Sequence, residues 1–313
     1  MVQGVYGIKS KLPAIGGNEG VSRVESIGSA VKNLKVGDWV IPSVAGFGTW
    51  REKAIAKEDD LLKIPNDIPV SYAATIAVNP CTAFRLLNDF VSLKPGDVII
   101  QNGANSMVGL AVIQLARHMG VKTINVVRSE RPDCLDTLRL LTNLGGDINI
   151  PDTYLNTEGL REILKDLPPC KLAFNCVGGE ESTNLVRSLA TGATVVTYGG
   201  MSKKPFIVPL DLLTQRQISL KGFWMAKWNQ EHTKEERSSM INEIADLIRN
   251  QHLTFFYEEH DFDDFDYALK QASEPFRFRK VVLNMDYPDR MAEHDKLSPD
   301  MYDVFKAPVK GSL

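Results

Sequence analysis

The segment Asn102-Gly103-Ala104-Asn105-Ser106-Met107-Val108-Gly109 joins a continuous apolar run, Val98-Ile99-Ile100, to a stretch of helical periodicity ending near Gly120. A strand, loop and helix in this order turn the first helical amides and the positive end of the helix dipole toward the loop, where they can bind an anion such as a pyrophosphate. Gly103 permits the tight turn, Gly109 permits close helix packing, and Asn105 and Ser106 carry hydrogen-bonding side chains. The segment departs from GxGxxG, and strand-loop-helix units that hold no nucleotide are common, so both readings stand on this segment alone. The next strand, Thr123 to Val127, ends in Arg128, where an enzyme selecting NAD places an acid for the ribose 2′-hydroxyl. A cation there suits a 2′-phosphate, with Glu130 tempering the local charge and Arg131 restoring it; the alternative is a solvated arginine in a loop. Glycine pairs also follow two later strands, in Cys176-Val177-Gly178-Gly179 and Tyr198-Gly199-Gly200-Met201, at the edge where open parallel sheets bind ligands.

Other reactive residues exclude more than they suggest. Cys81, Cys134, Cys170 and Cys176 have no CxxC spacing and the five histidines no HxxxH or HExxH spacing, so neither a disulfide framework nor a metal site is expected. A formal charge of -3 speaks against nucleic acid. Apolar stretches such as Met107 to Ala116 fall short of the roughly 20 residues that span a bilayer.

The elements that must position these residues fall into two textures, as 313 residues with 43% hydrophobic content allow. The first 70 or so residues read as short strands between glycine turns, a small β-rich domain. From about Val70 helix-period and buried-strand runs alternate, the βαβ order of an α/β, doubly wound parallel sheet. Strands are expected at Val98–Ile100, Thr123–Val127, Ile148–Ile150, Leu172–Cys176, Thr194–Thr197 and Ile218–Phe223. Helices are expected at Met107–Gly120, Pro132–Leu144, Thr157–Asp166, Ser182–Leu189 and Glu235–Arg249. A short helix near Phe265–Gln271, a last strand Lys280–Met285 and a polar tail, 286–313, complete the chain.

Several segments together carry a family resemblance. Gly17-Asn18-Glu19-Gly20, Val24-Glu25-Ser26-Ile27-Gly28 and Lys35-Val36-Gly37-Asp38-Trp39-Val40 resemble the medium-chain dehydrogenase/reductase superfamily, which joins a GroES-like β domain to a Rossmann domain. Gly4-Val5-Tyr6-Gly7, Gly48-Thr49-Trp50-Arg51, Asn79-Pro80-Cys81-Thr82-Ala83, Asn175-Cys176-Val177-Gly178-Gly179 and Gly222-Phe223-Trp224 are similar to its mitochondrial trans-2-enoyl-CoA reductase family. On that resemblance residues 1–83 and 224–285 form the GroES-like catalytic domain and 84–223 the Rossmann domain. Asn18 stands where zinc-dependent relatives carry a ligating histidine, so a zinc-independent reductase is implied. Met1 falls where relatives already have the opening β-domain strands behind them, so an N-terminally incomplete β domain without a transit peptide is expected.

The resemblance implies NADPH-dependent reduction of trans-2-enoyl thioesters, carried by CoA or acyl carrier protein, in mitochondrial fatty acid synthesis. Tyr6 aligns with the family's catalytic tyrosine, and a phenol protonated at neutral pH can give the α-carbon its proton. Cofactor contacts carried over by position are Asn79, then Asn105, Ser106, Met107 and Val108 at the phosphates, and Arg128, Ser129 and Glu130 at the adenosine ribose. Tyr198, Gly199, Gly200 and Met201 with Phe223, Trp224, Met225 and Ala226 are assigned to the nicotinamide and substrate side, and Lys280 reaches back from the last strand. Met107 replaces a glycine found in many relatives, and Phe223 and Trp224 also admit a plain packing role. A homodimer through Rossmann edge strands and a mitochondrial matrix location are implied, with a cytosolic form as the alternative. Two rival functions remain: an NADPH quinone reductase, and a truncated form that binds nucleotide or protein without turnover.

Overall fold

The computed structural model describes residues 7, 8, 11–277 and 279–285. Its contacts divide the chain into two compact units, one running up to Cys81 and resuming at Met225, the other Thr82–Trp224.

The first unit opens with strands β1 (Ser22–Arg23), β2 (Trp39–Pro42) and β3 (Leu61–Ile64), an antiparallel sheet in that order. Turn residues interrupt every apolar run and keep the strands short. Gly48, at φ 82°, comes so close to Ile15 that a Cβ would lie 2.9 Å from its carbonyl oxygen. Helices α1 (Val70–Thr75) and α2 (Asn79–Asn88) follow, and the division between the units falls within α2.

The second unit runs β4 (Val98–Asn102), α3 (Met107–His118), β5 (Lys122–Val127), α4 (Cys134–Asn143) and β6 (Ile148–Pro151), then α5 (Glu158–Lys165), β7 (Leu172–Asn175) and α6 (Gly179–Arg187). Strand β8 (Thr194–Thr197), helix α7 (Leu210–Thr214) and strand β9 (Ser219–Gly222) complete it. Its six strands are all parallel in the order β6-β5-β4-β7-β8-β9, so the chain winds outward from β4 and then returns to lay β7 on β4's other side. Such a reversal opens a crevice at the carboxyl edge. The expected α/β class and doubly wound sheet are therefore present.

Alternate residues of the strands face opposite layers, as the two-residue strand period requires. Val98, Ile100, Ile124, Val126, Ala173 and Val195 form one buried face, packed under Leu160 of α5, Leu185 of α6 and Leu212 of α7. The other face carries an amide ladder, since Gln101, Asn125 and Asn149 occupy one register position on β4, β5 and β6. Gln101 Nε2 donates to Asn125 Oδ1 at 2.8 Å, and Asn125 Nδ2 to Asn149 Oδ1 at 2.9 Å. The pairing lets buried strands carry amides without stranding a donor.

The chain re-enters the first unit through α8 (Met225–Glu231), α9 (Lys234–Arg249), β10 (Tyr257–Asp261), α10 (Phe265–Ser273) and β11 (Lys280–Asn284). Thr233 and Glu236 form a reciprocal capping box at the start of α9. Strands β10 and β11 pair in parallel. Strand β10 escapes the sequence reading because Tyr-Glu-Glu-His-Asp has the polarity of a loop; pairing with β11 supplies the missing backbone partners.

Candidate active site

At the carboxyl edge of the six-stranded sheet, Ser106 caps α3 by accepting the Gly109 amide at 3.1 Å. The amides of Met107 and Val108, at the first two helical positions, have no carbonyl one turn back to bond and lie beside the positive end of the helix dipole. Gly103 keeps the loop close to β7: at φ 59°, an added Cβ would sit 2.5 Å from Cys176 Sγ. Asn105, Ser106 and Met107 are half-buried and Val108 is buried.

Asn175, at the end of β7, holds this edge together. Its Oδ1 accepts from Asn102 Nδ2 at 2.9 Å, Ser182 Oγ at 2.6 Å, Val177 N at 3.1 Å and Gly178 N at 3.2 Å. Its Nδ2 donates to Thr197 Oγ1 at 3.2 Å, and Asn102 Oδ1 accepts the Cys176 amide at 2.8 Å. One buried amide thus ties the ends of β4, β7 and β8 to the start of α6. It also explains why α6 begins at Gly179 rather than at the expected Ser182: the chain is already held at Val177 and Gly178.

Tyr198 follows β8, its ring half-buried and its hydroxyl fully so. The hydroxyl lies beside Cys176 and Ser106 without a well-directed hydrogen bond to either. Burial above all, and then Cys176, hold its pKa well above the ordinary phenol value. Burial first, and then the nearby Glu181 carboxylate, push the Cys176 thiol up to about 11, so at neutral pH the thiol stays protonated and is not a nucleophile. Gly199 is half-buried, while Gly200 and Met201 are exposed, Met201 at 74%. Phe223 packs edge-on against Phe90 at 6.1 Å between ring centroids, and Trp224 remains 41% exposed.

A charged group lies past the end of β5. Arg128 and Glu130 are exposed past the end of β5, and the Ser129 amide donates to Asp152 Oδ1 at 2.9 Å. Glu181, in the first turn of α6, feels both Asp152 and Arg128; its pKa is pushed up to about 7, by burial first and by Asp152 second, against the opposing pull of Arg128.

In the first unit Asn79 opens α2, Met225 is buried and Ala226 half-buried at the start of α8, and Lys280 opens β11 in a 2.7 Å ion pair with Glu19. Tyr6 lies outside the described residues. Asn18 Oδ1 accepts the Gly46 amide at 2.8 Å. Among the described residues no three His, Cys, Asp or Glu side chains gather as a metal site, so the donor set does not fit zinc. No helix among them is long and apolar enough to cross a membrane.

Sequence reasoning missed Asn102, Asn175, Ser182, Asp152, Glu181 and Glu19. For the first two a signal existed, an asparagine closing an apolar strand run just before a glycine-rich turn. For Asp152 and Glu181 none did, because they meet Arg128 only through the crossover topology.

The chain matches two family models, one described as alcohol dehydrogenase GroES-like domain over residues 1–66 and one as zinc-binding dehydrogenase over residues 108–245. It is 46% identical over 286 residues to the mitochondrial enoyl-[acyl-carrier-protein] reductase of Dictyostelium discoideum, covering 91% of this chain and 81% of that one. Among solved structures it resembles the mitochondrial 2-enoyl thioester reductase Etr1p/Etr2p heterodimer from Candida tropicalis, with TM-score 0.78 and 33% identity over 83% of this chain and 78% of that one. The same values hold for the Etr1p complex with NADP and crotonyl-CoA. With its parallel sheet, glycine-rich carboxyl edge and extended likeness to these reductases, the chain belongs to the mitochondrial enoyl-[acyl-carrier-protein] reductase family of the medium-chain dehydrogenase/reductases.

Proposed function

We propose that this chain uses NADPH to reduce the 2,3 double bond of trans-2-enoyl thioesters in mitochondrial fatty acid synthesis, in the matrix. The observation that carries the proposal is the Asn175-pinned carboxyl edge, in a chain so similar to enoyl-[acyl-carrier-protein] reductases. The residues present fit the cofactor. The amides of Met107 and Val108, with Asn105 and Ser106, suit a pyrophosphate; Arg128, with Ser129 and Glu130 beside it, suits a 2′-phosphate. Tyr198 to Met201 and Phe223 to Ala226 are assigned to the nicotinamide and substrate, and Asn79 and Lys280 are the cofactor contacts of the first unit.

Bound NADPH supplies the hydride for the β carbon. The chain's own task is the charge that develops on the thioester oxygen and the proton that must reach the α carbon. Tyr6 is the proposed donor for both, by hydrogen bond to the oxygen and proton transfer to carbon. Burial keeps Tyr198 and Cys176 protonated, so neither a phenolate nor a thiolate competes for the enoyl thioester there. We further propose a homodimer through β9, which pairs on one side with β8 and whose four residues are all exposed.

The test follows NADPH oxidation with trans-2-hexenoyl-CoA and with a benzoquinone. Turnover of the thioester, falling at least about 100-fold in Tyr6→Phe, is expected. Preferential turnover of the quinone would establish the quinone reductase instead, and NADPH binding without turnover would establish a binding protein.

A further inference from the structure

The loop carrying Glu19 is fixed before its side chain is considered. The Trp50 amide donates to Gly16 O at 3.0 Å and the Gly48 amide to Gly17 O at 3.1 Å. Thr49 Oγ1 donates to the carbonyl of Glu19 itself at 2.7 Å. From this base the Glu19 carboxylate reaches two other segments. One oxygen accepts the Val78 amide at 3.0 Å, immediately before Asn79 and the first turn of α2, where backbone donors lack intrahelical partners. The other takes Lys280 Nζ at 2.7 Å, with the two side chains only 17% and 24% exposed. Lys280 has a fixed backbone as well, its amide bonded to Phe256 O at 3.1 Å and its strand paired with β10.

A lysine ammonium on its four-carbon stem has many rotamers, and a half-buried carboxylate opposite it selects one. The same carboxylate draws the entry of α2 into place. We propose that Glu19 is a positioning residue for the cofactor: it presents Lys280 and Asn79 in a single arrangement, so that neither must be ordered when NADPH binds. This rests on the assignment of Lys280 and Asn79 as cofactor contacts. Glu19 itself needs no contact with NADPH or thioester; its effect is preorganisation, which shows in cofactor affinity rather than in chemistry.

The experiment is a double-mutant cycle on the full chain, with Glu19→Gln, Lys280→Met and the double variant. Each is checked for folding by circular dichroism, NADPH binding without substrate is titrated by cofactor fluorescence with the same fold-changes expected in Kd as in KM, and NADPH is varied at saturating trans-2-hexenoyl-CoA. Glutamine keeps an acceptor for the Val78 amide but sets an uncharged amide against the ammonium. The expected result is a rise in KM for NADPH of about tenfold in Lys280→Met and about fivefold in Glu19→Gln, with kcat within about twofold in the latter. The double variant should be no worse than Lys280→Met, because the charge lost in Glu19→Gln then has no ammonium to position while glutamine still accepts the Val78 amide. Glu19→Asp, which keeps the charge on a shorter stem, should recover part of the loss. An unchanged KM in Glu19→Gln beside a raised KM in Lys280→Met overturns the proposal, as do multiplying effects in the double variant. An unchanged KM in Lys280→Met removes the cofactor assignment of Lys280 itself, a failure that the cycle separates from the other two.

Discussion

Glu181 carries a pH consequence that its own neighbourhood in sequence does not announce. With its pKa pushed from 4.5 up to about 7, the folded chain keeps a proton that the unfolded chain sheds at lower pH. Its stabilising contribution is fully present below the unfolded value and is lost as pH rises through about 7. Glu181→Gln should therefore melt a few degrees above the parent at mildly alkaline pH and converge with it at mildly acid pH. Thermal scans at both pH values check this, and parallel behaviour of the two proteins would refute it. The sequence showed Arg128 and Glu130 because they are near neighbours, but Arg131, expected to restore the positive charge, is buried and paired with Asp133 at 2.8 Å instead. The sequence could not show that Asp152, between β6 and α5, and Glu181, in the first turn of α6, complete the group.

Among the elements, the strand ends do the positioning. Asn175→Ala would leave the Val177 and Gly178 amides and the Asn102 and Ser182 donors short of an acceptor inside the sheet edge. We expect a loss of about 3 kcal/mol or more, read as a lower urea midpoint. Ser106→Ala removes the cap of α3 and should destabilise by about 1 kcal/mol while also weakening NADPH binding, measured by cofactor fluorescence. Most of these elements were legible. Strand β8 falls at Thr194–Thr197 as its apolar run requires, and α3 closes as Gly120 suggests, with Gly120 at φ 71° and the Val121 amide bonded to Ala116 O at 2.8 Å. The start of α6 was not, because side chains remote in sequence set it.

For the whole molecule, the proposed homodimer would use β9, one of the two edge strands of the six-stranded sheet. Ser219 N and Phe223 N donate to Ala193 O and Thr197 O of the β8 side, so by alternation the Leu220 amide faces away from β8. Leu220→Pro removes an outward donor without removing a bond to β8 and should shift a dimer toward monomer in sedimentation, with the melting profile of the second unit retained. A dimer that survives this change would place the interface elsewhere. The sequence by itself determined the alternation of strand and helix, the glycine-rich turns and the cation after β5, because hydrophobic period and turn chemistry are local properties of the chain. Tertiary structure alone decided that Asn175 gathers three strand ends, that Glu181 meets Arg128 and that Glu19 reaches Lys280 across 261 positions. Those pairings arise from strand order and register, which no local pattern of side chains encodes.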